Sequence, residues 1–114
     1  CPFCARFHPT VTRIIEEFPD VKWVYRHFPL TSIHSNAFDA AVASECAAEL
    51  GGNGAFWQFV DELFENQNRL GTALYAELAG ELGLRHTMTL EYIIIAHIAV
   101  IGNFQSQKST HHKC

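Results

Sequence analysis

Cys1-Pro2-Phe3-Cys4 opens directly into Ala5-Arg6-Phe7-His8-Pro9-Thr10-Val11-Thr12-Arg13-Ile14-Ile15, a segment with helical apolar spacing. Two cysteines separated by two residues at the start of a helix suit disulfide exchange. The first sulfur sits where free amides and the helix dipole favour negative charge, so its thiolate is expected to be stabilised and its pKa lowered. Pro2 fits the first helical position, where a missing N–H costs nothing and a fixed φ starts the turn. A purely structural bridge is a weaker reading, because so short a loop constrains the unfolded chain little. The other cysteines, Cys46 and Cys114, are isolated in the sequence. Cys46 falls on an apolar helical stripe and reads as a small core residue, whereas Cys114 ends a polar segment.

The elements that must position this pair follow from periodicity. Cys1 to about Phe18 reads as a first helix carrying Val11, Ile14, Ile15 and Phe18, kinked at Pro9 and closed by Pro19-Asp20. Val21 to Phe28 is β-branched and aromatic and is stopped by Pro29, which predicts a strand. Ser35-Asn36 is placed to cap a second helix with Phe38, Val42, Cys46 and Leu50, ending at Gly51-Gly52. Asn53 is placed to cap a third helix (Phe56, Phe59, Val60, Leu63, Phe64). Thr72 is placed to cap a fourth (Leu74, Tyr75, Leu78, Leu82), with Gly83 after its end. Leu90 to Ile101 reads as a buried strand or two short ones, and Gln105 to Cys114 as a polar tail.

The 114 residues suffice for one domain with one core, and the net charge of −4 without a basic run argues against a nucleic-acid partner. Tyr92 to Ile101, the longest apolar run, is interrupted by His97 and too short to span a bilayer, so membrane insertion is not expected.

The order of motifs resembles the DsbA-like branch of the thioredoxin superfamily. The residues that carry this are Cys1-Pro2-Phe3-Cys4, Phe7-His8-Pro9, Arg26-His27-Phe28-Pro29-Leu30, Ala41 to Ala47, Phe56-Trp57, and Leu63-Phe64-Glu65-Asn66-Gln67. The resemblance covers about residues 1–84. It implies an α/β, thioredoxin-like fold: a single domain over 1–114, a helical insertion at about 35–84, and a divergent strand and polar tail at 89–114. It further implies thiol–disulfide oxidoreductase activity, with Cys1 the nucleophile and Cys4 the resolving thiol and no cofactor required. The implied partners are cysteine-containing protein substrates and a redox partner protein. The implied setting is the bacterial periplasm or cell envelope, with the cytoplasm as the alternative.

Two departures from the family pattern stand out. No strand precedes Cys1 in this sequence, and Pro29 is the last proline, so nothing fills the cis-proline loop that faces the active disulfide in the family. An incomplete sheet, a rearranged C-terminal part, or a permuted order in which Tyr92–Ile101 supplies the central strand each account for part of this. Exposed strand edges in such a sheet would favour a homodimer.

Two other functions stay open on the residues alone. Cys1 and Cys4 together with His111, His112 and Cys114 make a Cys₃His or Cys₂His₂ set for zinc, or a cysteine site for an Fe–S cluster. A binding domain without redox activity is the other. His8 lies one turn after Cys4 on the same helix face and is placed to modulate its thiolate or simply to be solvated. His27 and His97 are expected to be packed and hydrogen-bonded, and Phe7, Phe28, Phe56, Trp57 and Phe64 to belong to the core.

Overall fold

The computed structural model describes residues 1–84. Its elements are α1 (Pro2–Glu17), α2 (Ala37–Glu65), a 3₁₀ turn (Gln67–Arg69) and α3 (Thr72–Glu81). The expected strand Leu90–Ile101, His97 and the polar tail lie outside the described residues.

Helix α1 starts as its first residues dictate, with Cys1 at the N-cap and Pro2 just inside, and runs through Pro9. Only Val11 of its apolar stripe is buried; Ile14 and Phe18 are exposed. The two helices expected at 36–50 and 53–64 meet end to end as α2, and the break between them falls at Gly52, where the sequence placed it. The chain stays helical through this region except at Gly52, whose φ of 75° and ψ of −169° break the run. A side chain at that φ/ψ would be strained by about 1–3 kcal/mol, which is why a glycine marks the bend. Asn36 does occupy the N-cap, yet its amide donates to the Leu70 carbonyl at 3.0 Å and not to the helix. It thereby ties the start of α2 to the chain entering α3. Helix α3 ends as expected, with Leu82 at the C-cap and Gly83 in the left-handed region at φ 72°.

The core lies between α2 and α3. Ala43, Ala47, Phe59, Leu63, Leu74, Tyr75 and Leu78 form one buried cluster, with Leu82 and Leu84 against it. Cys46 is buried beside it, in line with its apolar position.

The expectation of an α/β fold is corrected by this architecture: the described residues are all helical, with no strand and no sheet. Val21–Phe28 keeps the period-two alternation of a strand, since Tyr25 and His27 turn inward while Val24, Arg26 and Phe28 face out. Alternation alone does not make a strand. A strand closes its hydrogen bonds only with a neighbour, and among the described residues no backbone partner pairs with residues 22–28. A helix satisfies its own backbone locally, so the helices stand wherever their apolar faces pack. For the same reason Phe28 (75% exposed) and Phe7 (56% exposed) are not core, contrary to expectation, whereas Phe56 is.

Tyr75 combines near-complete burial with a hydroxyl that finds no hydrogen-bond partner among the described residues. Burial pushes its pKa up to about 12, and the negative charge of Asp39 adds to the effect. The raised value means that the neutral phenol stabilises the fold fully below pH 10 and that this contribution is lost as pH rises toward 12, a difference of up to about 3 kcal/mol. Tyr75→Phe is therefore expected to hold or raise stability at pH 7 by about 1 kcal/mol, because an unsatisfied buried hydroxyl is removed. It should also flatten the loss of stability between pH 10 and 12. Urea midpoints at pH 7 and pH 11 check both, and a destabilised variant at pH 7 would show that the hydroxyl is satisfied.

Candidate active site

The two cysteines meet at the first turn of α1. Pro2, Phe3 and Cys4 are its first three helical residues, so the backbone N–H of Cys4 points back at the N-cap side chain. It donates to the Cys1 sulfur at 3.4 Å. A sulfur is a weak acceptor as a thiol and a much better one as a thiolate, so this contact favours the ionised form. No acidic side chain occupies the first turn to oppose that charge. The Cys1 carbonyl accepts from the Ala5 amide at 3.1 Å and from the Gln67 side chain at 3.1 Å, which anchors the helix start to the 3₁₀ turn. Cys1 is half-buried and Cys4 is exposed; both are thiols, without a disulfide between them. Phe3, between them, is 72% exposed, with the Arg6 guanidinium 4.9 Å from its ring centre.

Both cysteines line a largely apolar cavity of about 500 Å³ between α1, α2 and the extended segment 19–30. Tyr25 forms part of its wall, edge-on to His27 (5.1 Å), Phe56 (5.6 Å) and Trp57 (5.9 Å). Burial raises the Tyr25 pKa, and the charge of Cys4 raises it further, so the phenol stays protonated. His27 is packed and hydrogen-bonded: its Nε2 lies 2.9 Å from Glu45 Oε1 and 3.3 Å from Ser44 Oγ. The Ser44 hydroxyl donates to the Ala41 carbonyl at 2.8 Å, so it accepts from His27. His8 is held as well, with Nε2 2.6 Å from Asp61 Oδ1 and its ring centre 4.4 Å from that of Phe64.

The structure thus brings Cys1, Cys4 and His8 to one cavity. Tyr25, Ser44 and Gln67 line it too, and Asp61 and Glu45 hold its histidines His8 and His27; none of the five carries a site role in the sequence analysis. Asp61 and Gln67 are ordinary helix-surface residues by local pattern; only the packing of α1 on α2 puts them beside the site. Of the candidate metal ligands, His111, His112 and Cys114 lie outside the described residues. Among the described residues, no cluster of three or more His, Cys, Asp or Glu side chains is arranged to hold an ion.

Comparison with known proteins adds a family. The model of the family described as thioredoxin matches residues 1–108. The Na(+)/H(+) antiporter NhaA 3 of Salinispora tropica is 39% identical over 84 residues, which cover 74% of this chain and 12% of that protein. The Na(+)/H(+) antiporter NhaA 1 of Mycolicibacterium vanbaalenii is 45% identical over 71 residues, 61% of this chain and 11% of that protein. The chain therefore spans about an eighth of the length of the curated relatives it matches. No solved structure matches it.

Proposed function

The chain belongs to the thioredoxin family, and from that premise we propose that it exchanges disulfides with cysteine-containing proteins through Cys1 and Cys4. Thiol–disulfide oxidoreduction is the general chemistry of such a domain; the roles of individual residues and the substrate class are the proposal. The observation that carries it is the seat of Cys1 at the N-cap of α1, its sulfur taking the Cys4 amide while Cys4 stands exposed one turn along.

In this mechanism the Cys1 thiolate attacks one sulfur of a substrate disulfide, and the other substrate sulfur leaves as a thiolate. Cys4 then attacks the Cys1 sulfur of the mixed disulfide, closing Cys1–Cys4 and releasing the second substrate thiol. Run backwards, the same steps oxidise a substrate dithiol. The better the Cys1 thiolate is stabilised, the more oxidising its disulfide becomes. The apolar cavity beside the sulfurs and the exposed Phe3 give an unfolded or extended substrate segment somewhere to rest. A cell-envelope setting belongs to the proposal through the resemblance to DsbA-like proteins. Ion exchange does not. The chain covers only about an eighth of those antiporters, and among the described residues no helix is long and apolar enough to cross a membrane.

Reduction of insulin by dithiothreitol, with and without a chelator, tests the reading. Catalysed precipitation of the insulin B chain that survives chelation is expected. Stoichiometric zinc with no turnover would replace the enzyme with a metal site, and neither result would leave a binding domain.

A further inference from the structure

The mechanism leaves one question of proton transfer. Cys1 takes an amide hydrogen bond that favours its thiolate, but Cys4 must also lose a proton before it can attack the mixed disulfide, and among the described residues no donor reaches its sulfur. We propose that His8, held by Asp61, is the general base for Cys4 in the resolving step; this rests on the disulfide-exchange reading above.

Spacing and packing carry the assignment. His8 is four residues after Cys4 on α1, so the two side chains lie on one face with Cβ atoms about 5–6 Å apart. Helical side chains lean toward the N-terminus, which carries the imidazole toward the turn that holds Cys4. Cys1 is seven residues away, about 10 Å along the axis, and out of its reach. His8, Cys1 and Cys4 line the same cavity, and the His8 side chain is only 14% exposed. The ring is fixed on two sides, by Asp61 at 2.6 Å and by the face of Phe64. An ionised carboxylate only accepts, so Nε2 carries the proton shared with Asp61. Nδ1 is left as the ring's acceptor, and no group among the described residues occupies it. A nucleophile and a base on one face of α1, and a carboxylate from α2 that orients the base, are the parts such a step needs. The other ionisable or charged groups around the cavity are Tyr25, Arg26, His27 and His34 on the segment facing α1; α2 contributes Asp61.

The Cys4 thiol gives its proton to His8 Nδ1, and its sulfur attacks the Cys1 sulfur. The bond from Cys1 to the substrate sulfur breaks, and its electron pair leaves on that sulfur as a thiolate. The imidazolium then returns the proton to this leaving thiolate or to water. In the oxidising direction the imidazolium protonates Cys4 as it departs from the Cys1–Cys4 disulfide.

The test uses the full chain carrying Cys114→Ser, which leaves the Cys1–Cys4 pair and the buried Cys46 as its thiols, and 5,5′-dithiobis(2-nitrobenzoate) under single-turnover conditions. Attack by Cys1 releases one coloured thiolate, and ring closure by Cys4 releases the second; Cys4→Ser removes the second phase and so assigns it. In His8→Gln the second phase is expected to slow about 100-fold near pH 7, the lower end of what general-base catalysis supplies. The deficit should vanish above pH 9, where a thiol ionises unaided, and added imidazole should recover part of it. Asp61→Asn, a change at a half-exposed side chain that spares the core, should slow the second phase by a smaller factor and leave the first unchanged, because the ring keeps its place on α1 but loses the carboxylate that orients it. A loss that is the same at every pH would make His8 a packing residue and overturn the proposal, as would an unchanged profile in both variants. Should the first phase keep its full rate in Cys1→Ser, although Cys4 is an exposed thiol able to react slowly by itself, the failure would instead be that of the disulfide-exchange reading.

Discussion

Cys1→Ser is expected to reduce insulin turnover by at least about 1000-fold, to the uncatalysed background, while the fold is retained. The reason is chemical. A hydroxyl can still cap α1, since serine is a strong N-cap residue, but it neither ionises near neutral pH nor forms a disulfide. The same position therefore keeps its structural role and loses its chemical one, and an unchanged melting temperature should accompany the loss. Cys4→Ser separates the two sulfurs further. Attack by Cys1 survives, resolution does not, and the substrate stays attached. Mass spectrometry of the variant after exposure to an oxidised peptide should show a covalent adduct that dithiothreitol removes. An inactive Cys1→Ser with a fully active Cys4→Ser would mean that the mixed disulfide is resolved by a second substrate thiol and that Cys4 is dispensable.

The largest expected effect on stability belongs to Phe59→Ala. Phe59 is fully buried where α2 meets α3, against Ala43, Ala47, Leu63, Leu74, Tyr75 and Leu78. Truncation removes the transfer energy of the ring and leaves a cavity that helices joined by a short turn close only in part. A loss of about 3–5 kcal/mol is expected, which is a large share of the 5–15 kcal/mol typical of a whole domain. Phe3→Ala is the matched contrast. Its ring is 72% exposed, and stability should change by no more than about 0.5 kcal/mol. Urea denaturation of both variants at pH 7 decides the matter, and a loss below 1 kcal/mol for Phe59→Ala would mean that the core lies elsewhere.

The two positions show how far the sequence can be read. Cys1 and Cys4 are legible because spacing and helix start lie within four residues, and a local pattern reports local chemistry. The helices are legible for the same reason: α3 and the buried Phe59, Val60 and Leu63 of α2 repeat at helical spacing. The expected strand Val21–Phe28 shows the limit. Its residues alternate as a strand requires, and Tyr25 and His27 do face inward, yet whether such a segment becomes a strand depends on a partner that no local pattern encodes. Phe7 and Phe28 were expected in the core on hydrophobicity alone, and burial is a property of what lies opposite.

Asp61 and Gln67 make the same point at the site. No local pattern gives either a role at the site, yet both reach α1 from elements more than fifty residues away, one holding His8 and the other the Cys1 carbonyl. The sequence by itself determined the cysteine pair on which the proposed exchange rests, the helix that seats it and the apolar faces that make a core, because each depends on neighbours within a turn or two. Only the tertiary structure decided what surrounds those sulfurs, and which histidine is held and by which carboxylate. Those facts depend on groups distant in the chain meeting in space, and contact across such separations is set by packing of the whole core.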